Sequence, residues 1–222
     1  MITLAHILGK DESLLVACQN GFRLLPEVCV AFKKMQAAAA QDNVDIQIVS
    51  SYRSFDRQLQ IWQNKWSGKA TLLDTNENTL DATALSDHEK TLAILTWSAL
   101  PGASRHHWGS DLDVYDKKSV EQSQHGFKLV CSEYDKGPCT QLNNWLNEYA
   151  IQFGFSRPYA EYNGGIAREP WHLSFQASAD KMLGLLDEQV LLANLRKSDI
   201  LGLDSIIANM PDIYQRFVLN RG

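Results

Sequence analysis

Residues 104–113 read Ser-Arg-His-His-Trp-Gly-Ser-Asp-Leu-Asp, the densest cluster of polar and charged groups in the chain. Residues 111–115 alternate in polarity, which predicts a β-strand. His106 is therefore expected on the loop before this strand and Asp113 inside it, with Gly109 allowing the chain to turn closely. Imidazole nitrogen and carboxylate oxygen are ligands that zinc prefers. The cluster thus predicts two ligands of a metal site at the entry to a strand.

Two other segments are predicted to form strands. Residues 44–48 alternate apolar with polar side chains, and this strand runs into Ser-Ser-Tyr-Arg-Ser. Residues 169–175, Glu-Pro-Trp-His-Leu-Ser-Phe, are predicted as a third strand. His172 can supply a third ligand from there, because a catalytic zinc ion takes three protein ligands and keeps one open position. Glu169 can then take a proton from the attacking water.

Each motif alone also has an ordinary structural interpretation. His106 and His107 can be a solvated pair at a strand entry, and residues 169–172 can be a strand start with a buried tryptophan. Arg53 alone can be one half of a surface ion pair. Three features in one order favour a metal hydrolase instead: Tyr-Arg-Ser at a strand end, then Ser-x-His-x-x-Gly-x-x-x-Asp, then Glu-x-x-His.

In these three motifs the sequence resembles the zinc D-Ala-D-Ala carboxypeptidases of the VanY type, within the wider group of lysostaphin-like, D-Ala-D-Ala and Hedgehog-related metallopeptidases. The family pattern Ser-x-His-x-x-Gly-x-Ala-x-Asp falls on Ser104, His106, Gly109 and Asp113. Its Glu-x-x-His pattern falls on Glu169 and His172, and its Tyr-Arg-Ser-x-x-x-Gln pattern falls on Tyr52, Arg53, Ser54 and Gln58. The likeness extends over residues 44–176.

The resemblance implies a zinc-dependent peptidase that hydrolyses the C-terminal D-amino acid, D-Ala, of peptidoglycan stem peptides or their precursors. One Zn²⁺ ion per chain would be bound by His106, Asp113 and His172. Glu169 would act as the general base and then as the acid. The implied fold is α+β, with a small antiparallel sheet that holds the zinc site and helices around it.

The same resemblance gives recognition of the substrate's free carboxylate to Arg53, with help from Ser104 and Gln58. An arginine fork binds a carboxylate through two parallel hydrogen bonds, which suits this role. A peptidoglycan endopeptidase or a D,D-dipeptidase of the same fold is an alternative, and so is a non-catalytic zinc-stabilised binding module. Glu169 and Arg53 argue against the binding module, because a structural zinc site needs neither a base nor a carboxylate clamp.

Asp111 stands where the family pattern has alanine. It shares a strand face with Asp113, because side chains alternate along a strand. Asp111 can therefore compete as a metal ligand, contact a metal-binding residue without binding the metal itself, or point to an accessible edge of the sheet. The spacing from His106 favours Asp113 as the ligand. His107 competes with His106 in the same way. We expect His107 and Trp108 to line the wall of the cleft.

The remaining segments are interpreted as parts of one domain over residues 1–222. Residues 12–40 predict a leading helix in two pieces, residues 44–176 the peptidase core, and residues 177–222 a helical extension that packs on the core. Residues 67–103 are long and weakly patterned, and we expect a partly helical surface excursion that can close the cleft.

Composition excludes several classes of protein. The chain is 45% hydrophobic with a formal net charge of -5, which argues against a disordered chain and against a general nucleic-acid binder. No apolar run reaches the roughly 18 residues of a membrane span. Residues 1–10 show no basic region before an apolar stretch and no small-residue cleavage site, so a cytoplasmic location is expected, with a periplasmic one as the alternative. The sequence assigns no oligomeric state.

The cysteines and the remaining histidines are interpreted as structural. Cys18 and Cys29 lie in apolar surroundings and are expected to be small buried residues. Cys131 and Cys139 flank a polar stretch and can form a disulfide, although the lack of a leader argues against one. Three histidines without partners in sequence are expected to be structural or at the surface: His6, His88 and His125.

Overall fold

The computed structural model describes residues 1–123 and 126–221. Its strands are β1 (Val16–Ala17), β2 (Arg23–Leu24), β3 (Ile46–Ser50), β4 (Leu72–Leu73), β5 (Thr79–Leu80), β6 (Asp111–Asp116), β7 (Phe155–Ser156) and β8 (His172–Phe175). Its α-helices are α1 (Leu4–Ile7), α2 (Pro26–Gln41), α3 (Phe55–Trp66), α4 (Asp87–Trp97), α5 (Lys117–Gln122), α6 (Cys131–Asp135), α7 (Thr140–Tyr149), α8 (Gln176–Leu183), α9 (Glu188–Leu195), α10 (Leu203–Ala208) and α11 (Met210–Ile213). Two 3₁₀ turns cover Arg105–Trp108 and Ala150–Phe153, and a π-helical turn covers Tyr214–Val218.

A four-stranded antiparallel sheet in the order β3-β6-β8-β7 forms the centre. Strands β6 and β8 pair so that Asp113 lies opposite His172 and Asp111 lies opposite Ser174. Because side chains alternate between the faces of a sheet, these four side chains share one face. Leu112 on the opposite face is fully buried in the core. The expected α+β fold with a small antiparallel sheet is confirmed.

Helix α2 packs against β3 through its apolar face. Pro26 occupies the first turn, where the missing N–H costs no hydrogen bond. The buried side chains recur at helical spacing: Val28, Cys29, Phe32, Met35 and Ala39. This packing fixes the strand that leads into Arg53.

The helices after residue 176 pack on the same core. Leu191, Leu195 and Ile206 are fully buried. Trp62 of α3 donates a hydrogen bond from Nε1 to the carbonyl oxygen of Leu201, at 2.9 Å. These contacts support the interpretation of the chain as one domain, which stays a prediction.

The leading segment differs from the prediction. Residues 12–25 are not helical, because β1 and β2 form an antiparallel hairpin and only α2 is a helix. Asn20 and Gly21 in the connecting loop have φ angles of 49° and 82°, a left-handed conformation that an Asn-Gly pair adopts readily. A disulfide between Cys18 and Cys29 joins this loop to α2. Cys29 is buried as expected, but Cys18 is only half-buried, and the bond between the two was not predicted.

Other local predictions have mixed outcomes. Cys131 and Cys139 are free thiols, so the disulfide considered there is not formed. The third strand begins only at His172, because the backbone turns before it and the His172 N–H donates to the carbonyl oxygen of Glu169, at 3.1 Å. Residues 67–103 contain the β4–β5 hairpin and helix α4, so this segment is partly helical as predicted.

Two of the three isolated histidines can be placed. His6 is buried, and its Nδ1 accepts a hydrogen bond from the Thr3 N–H at 3.0 Å, which is a structural role. His88 is exposed. His125 lies outside the described residues. No helix within residues 1–123 and 126–221 is long and apolar enough to cross a membrane.

Candidate active site

A cavity of about 280 Å³ opens over the polar face of the sheet. Its floor comes from β6 and β8, and one wall comes from the 3₁₀ turn of residues 105–108. Ile61 of α3 and the end of α4 with residues 98–99 also line the cavity. The excursion of residues 67–103 thus contributes to the wall of the cavity, as the sequence led us to expect.

Three side chains at the base of the cavity form a candidate metal centre. One ligand atom from each of His106, Asp113 and His172 lies within 4.8 Å of the others. Asp113 Oδ2 is 3.4 Å from His106 Nε2, and Asp113 Oδ1 is 3.1 Å from His172 Nδ1. All three residues are buried. The cross-strand pairing of Asp113 with His172 and the loop before β6 bring them together.

Gly109 makes the turn that places His106. Its φ angle is 67°, in the left-handed region, and its carbonyl oxygen accepts a hydrogen bond from the Leu25 N–H at 3.0 Å. A Cβ atom at this position would collide with the side chain of Leu15. Only glycine therefore fits both the backbone conformation and the close approach of the leading segment.

Each histidine of the centre has one ring nitrogen engaged and the other facing the site. His106 Nδ1 lies 2.9 Å from the carbonyl oxygen of Ser51, so it donates its proton there and presents Nε2. His172 Nε2 lies 3.0 Å from Asp111 Oδ1 and leaves Nδ1 toward Asp113. Such outer hydrogen bonds fix the tautomer and orientation of metal-binding histidines.

The donor set fits a metal ion. Asp113 Oδ1 and His172 Nδ1 are buried and lie 3.1 Å apart, but neither makes a well-aligned hydrogen bond to any of the described residues. Buried polar atoms are rarely left unsatisfied, and a cation at this place satisfies both. Burial lowers the pKa of His106 to about 4, so this imidazole is neutral and available as a ligand at neutral pH. Two histidines and one carboxylate are a ligand set used by catalytic zinc sites.

Glu169 lies beside this centre. Its Oε2 is 3.6 Å from His172 Nδ1, and 14% of its side chain is exposed. Burial raises the pKa of Glu169 to about 7, with a further contribution from the charge of Asp113. A carboxylate with a pKa near neutrality can both accept and return a proton at physiological pH.

Arg53 lines the same cavity. Its guanidinium donates to Gln58 Oε1 at 2.8 Å and to Ser50 Oγ at 3.2 Å. No carboxylate of residues 1–123 or 126–221 lies within ion-pair distance of it, although Asp113 and Glu169 act on its pKa from farther away. The charge of Arg53 is thus oriented by neutral partners and available to an anion.

The other predicted site residues are placed as follows. Ser104 is buried and lines the cavity. Gln58 is completely buried behind Arg53, and its side-chain amide donates to the carbonyl oxygen of Ala99 at 2.7 Å. It therefore reaches Arg53 but does not line the cavity.

The expectation that His107 and Trp108 line the cleft is wrong. His107 Nε2 accepts from the Gly102 N–H at 2.9 Å, and Nδ1 donates to the carbonyl oxygen of Arg53 at 2.6 Å. Trp108 points into the core, where its Nε1 donates to the carbonyl oxygen of Ile7 at 3.2 Å. Both side chains thus bind backbone groups through hydrogen bonds and do not line the cavity.

Asp111 and Arg105 are the partners that the motifs did not identify. Asp111 is completely buried and contacts His172, so it neither replaces Asp113 nor points to an accessible edge. Arg105 Nε lies 2.7 Å from Asp111 Oδ1. The sequence showed that Asp111 shares a face with Asp113, but nothing in it indicated that Arg105 would fold onto the same carboxylate.

Similar proteins were found in sequence and in structure. An uncharacterised protein of Haemophilus influenzae is 29% identical over 127 residues, which cover 56% of this chain and 96% of that protein. The bifunctional D-Ala-D-Ala dipeptidase and D-Ala-D-Ala carboxypeptidase VanXYC of Enterococcus gallinarum is 26% identical, over 77% of this chain and 72% of its own. The chain spans about half the length of other curated relatives that it matches.

A solved structure has the same architecture. It is a variant of the vancomycin resistance D,D-pentapeptidase VanY from the VanB-type resistance cassette, in complex with Zn(II). The identity is 25% and the TM-score is 0.52, over 80% of this chain and 88% of that chain. The sequence model of the family VanY, D-alanyl-D-alanine carboxypeptidase, matches residues 21–178, which include every motif of the candidate site. The chain therefore belongs to the VanY family of D-alanyl-D-alanine carboxypeptidases.

Proposed function

We propose that the protein is a zinc-dependent carboxypeptidase that removes the C-terminal D-amino acid, D-Ala, from peptidoglycan stem peptides or their precursors. One Zn²⁺ ion per chain is bound by His106, Asp113 and His172. The observation that carries the proposal is the coexistence, in one cavity, of this metal-ligand cluster, a carboxyl group with a pKa near 7, and an arginine without a carboxylate partner.

The roles of the side chains follow from their positions. The metal ion, when bound, polarises the scissile carbonyl group and makes the attacking water more acidic. Glu169 takes a proton from this water as it attacks the carbonyl carbon. Glu169 then returns the proton to the leaving amine as the peptide C–N bond breaks, so one water molecule is consumed for each peptide bond.

Arg53 binds the terminal carboxylate of the substrate and Ser104 assists it. Gln58 holds the guanidinium of Arg53 in place from behind, because both ends of its amide group are already hydrogen-bonded. We assign to Gln58 a positioning role in place of the direct substrate contact implied by the resemblance.

The environment of Arg53 favours an exopeptidase over an endopeptidase. Arg53 lines the same cavity as the candidate metal ligands, and its guanidinium is hydrogen-bonded to the neutral side chains of Gln58 and Ser50, so its charge can bind the free carboxylate of a peptide end. An endopeptidase needs a groove that continues beyond the scissile bond. The D,D-dipeptidase remains the second candidate, since it also requires a bound terminal carboxylate and a relative carries both activities in its name.

A panel of stem peptides tests the proposal. The zinc-loaded protein is incubated with tri-, tetra- and pentapeptides and with the dipeptide D-Ala-D-Ala, and the products are identified by mass. Loss of one terminal D-Ala from a longer peptide is the expected result. Cleavage of the dipeptide alone would establish the second candidate, internal cleavage would show an endopeptidase, and absence of all cleavage with zinc bound would favour a binding module.

Replacement of Arg53 by alanine should lower kcat/KM on peptides with a free C-terminus at least about 30-fold. Removal of one partner of a buried, hydrogen-bonded charge pair typically costs about 2 kcal/mol or more. The measurement compares free-acid and C-terminally amidated peptides, and wild type and variant should differ little on the amides.

Arg57→Ala is the matched control for this prediction. Arg57 lies on α3 near Arg53, is exposed, and its side chain donates a hydrogen bond to Gln60 Oε1. Its replacement should leave kcat/KM unchanged on both kinds of peptide. Equal losses on free acids and amides in Arg53→Ala would refute the carboxylate-binding role.

The disulfide bears on the location of the protein. Disulfides form and persist in oxidising compartments and are rare in the cytosol. The bond between Cys18 and Cys29 therefore supports the periplasmic alternative, or another extracytoplasmic site, over the cytoplasmic location predicted from residues 1–10. Cell fractionation with an antibody against the protein tests this, and recovery in the cytosol with both thiols reduced would contradict it.

A further inference from the structure

Both carboxylate oxygens of Asp111 are hydrogen-bonded to other residues of the protein. Oδ1 accepts hydrogen bonds from Arg105 Nε at 2.7 Å and from His172 Nε2 at 3.0 Å. Oδ2 accepts a hydrogen bond from Ser110 Oγ at 2.5 Å. Asp113, two residues along the same strand, instead keeps a buried oxygen that makes no well-aligned hydrogen bond to any of the described residues. Asp111 also does not line the cavity. These contacts distinguish a carboxylate that serves a histidine from one that faces the metal position.

Arg105 holds Asp111 in this place. The guanidinium is mostly buried, donates from Nη2 to Ser174 Oγ at 2.6 Å, and lies over the ring of Trp108 with 5.2 Å from Cζ to the ring centroid. Ser174 faces Asp111 across β6 and β8. A buried charge requires a partner, so the arginine and the aspartate depend on each other. Arg105, Asp111 and His172 form a continuous chain that ends at the candidate metal centre.

We propose that Asp111, held by Arg105, is a positioning residue that keeps His172 Nε2 protonated and His172 Nδ1 directed at the zinc position, and thereby strengthens zinc binding. The inference rests on the proposed zinc site and deepens it. The family pattern has alanine at this position, so the arrangement distinguishes this chain from that pattern. A carboxylate on the outer nitrogen of a metal-binding histidine fixes its tautomer and raises its basicity as a ligand.

The experiment measures zinc affinity by competition with a chromogenic chelator. Asp111→Ala should weaken zinc binding by about 10- to 100-fold, as the loss of an outer hydrogen-bond partner typically does. Asp111→Asn should weaken zinc binding less than Asp111→Ala does, because the amide oxygen of asparagine can still accept a hydrogen bond from His172 Nε2. A Co²⁺-loaded sample of each variant should show an altered visible spectrum, which reports the geometry of the ligands independently of turnover.

Asp111→Ala leaves the buried charge of Arg105 without a carboxylate partner and can fail to fold, so a second variant is required. In Arg105→Met combined with Asp111→Ala both charges are removed together, which is often tolerated in a protein interior. The double variant should melt close to wild type and yet bind zinc about 10- to 100-fold more weakly. Asp212→Ala is the matched control, because Asp212 also pairs with an arginine, Arg216, but lies far along the chain in α11.

Each outcome decides the inference. A folded double variant with wild-type zinc affinity and an unchanged Co²⁺ spectrum would overturn it, and so would a wild-type protein that binds no zinc. A wild-type protein that binds zinc but cleaves no peptide would refute the proposed function alone. The ratio of zinc affinities between wild type and the Asp111 variants would still support or overturn the positioning role.

Discussion

Glu169→Ala should lower kcat by about 10²- to 10⁴-fold and leave the zinc content of the protein unchanged. A positioned general acid–base group contributes a factor of this size to a reaction rate. Zinc is expected to remain because the candidate ligands come from three other residues. The fold should also tolerate the change, since burial raises the pKa of Glu169 and its negative charge therefore does not stabilise the folded state.

Two companion variants sharpen this prediction. Glu169→Gln keeps the size and polarity of the side chain but cannot take a proton, so its loss of kcat should match that of Glu169→Ala. Glu161→Ala removes an exposed carboxylate from the same connection between β7 and β8 and should leave kcat unchanged. Steady-state kinetics on a stem pentapeptide, with zinc measured on the same samples, provide the comparison. Wild-type turnover in either Glu169 variant would show that another group is the base.

His172→Ala should lose zinc and, with it, nearly all turnover. The variant removes one of the three candidate ligands. Zinc affinity should therefore fall by more than the roughly 100-fold that is typical when a residue hydrogen-bonded to a ligand is removed. Asp111 keeps its contacts with Arg105 and Ser110, so no buried charge is left alone. Chelator competition measures the affinity, and circular dichroism checks that the variant is folded.

His88→Ala is the matched control for this second variant. His88 is an exposed histidine in the first turn of α4. Its removal should change neither zinc affinity nor turnover. Retention of tightly bound zinc by folded His172→Ala would mean that the metal lies elsewhere in the chain.

The sequence predicted the parts of the site that depend on spacing along one strand or one turn. His106 and Asp113 are separated by a glycine turn and a strand entry, so their approach follows from local geometry. The convergence of His172 and Arg53 on the same cavity depends on strand order, which periodicity cannot supply. This convergence could be predicted only from the resemblance, because the order of the motifs is typical of a family whose fold is known.

The errors of prediction arise where packing across the chain decides the outcome. Spacing from His106 favoured Asp113 over Asp111 as the ligand, but the role of Asp111 stayed open, because the contact of Arg105 with Asp111 does not follow from strand periodicity. The apolar surroundings of Cys18 and Cys29 concealed a disulfide, although the Asn-Gly pair at residues 20–21 was a hairpin signal that could have indicated a turn between them.

The imidazole of His107 connects the backbone at Gly102 with the backbone at Arg53. Complete burial lowers its pKa to about 3, so the ring stays uncharged across the range in which an exposed histidine titrates. The unfolded chain takes up this proton below about pH 6.5 and the folded chain does not, so acidification from there toward pH 3 favours unfolding. Within the folded chain, the uncharged ring therefore keeps linking these two backbone segments as the pH falls toward 3.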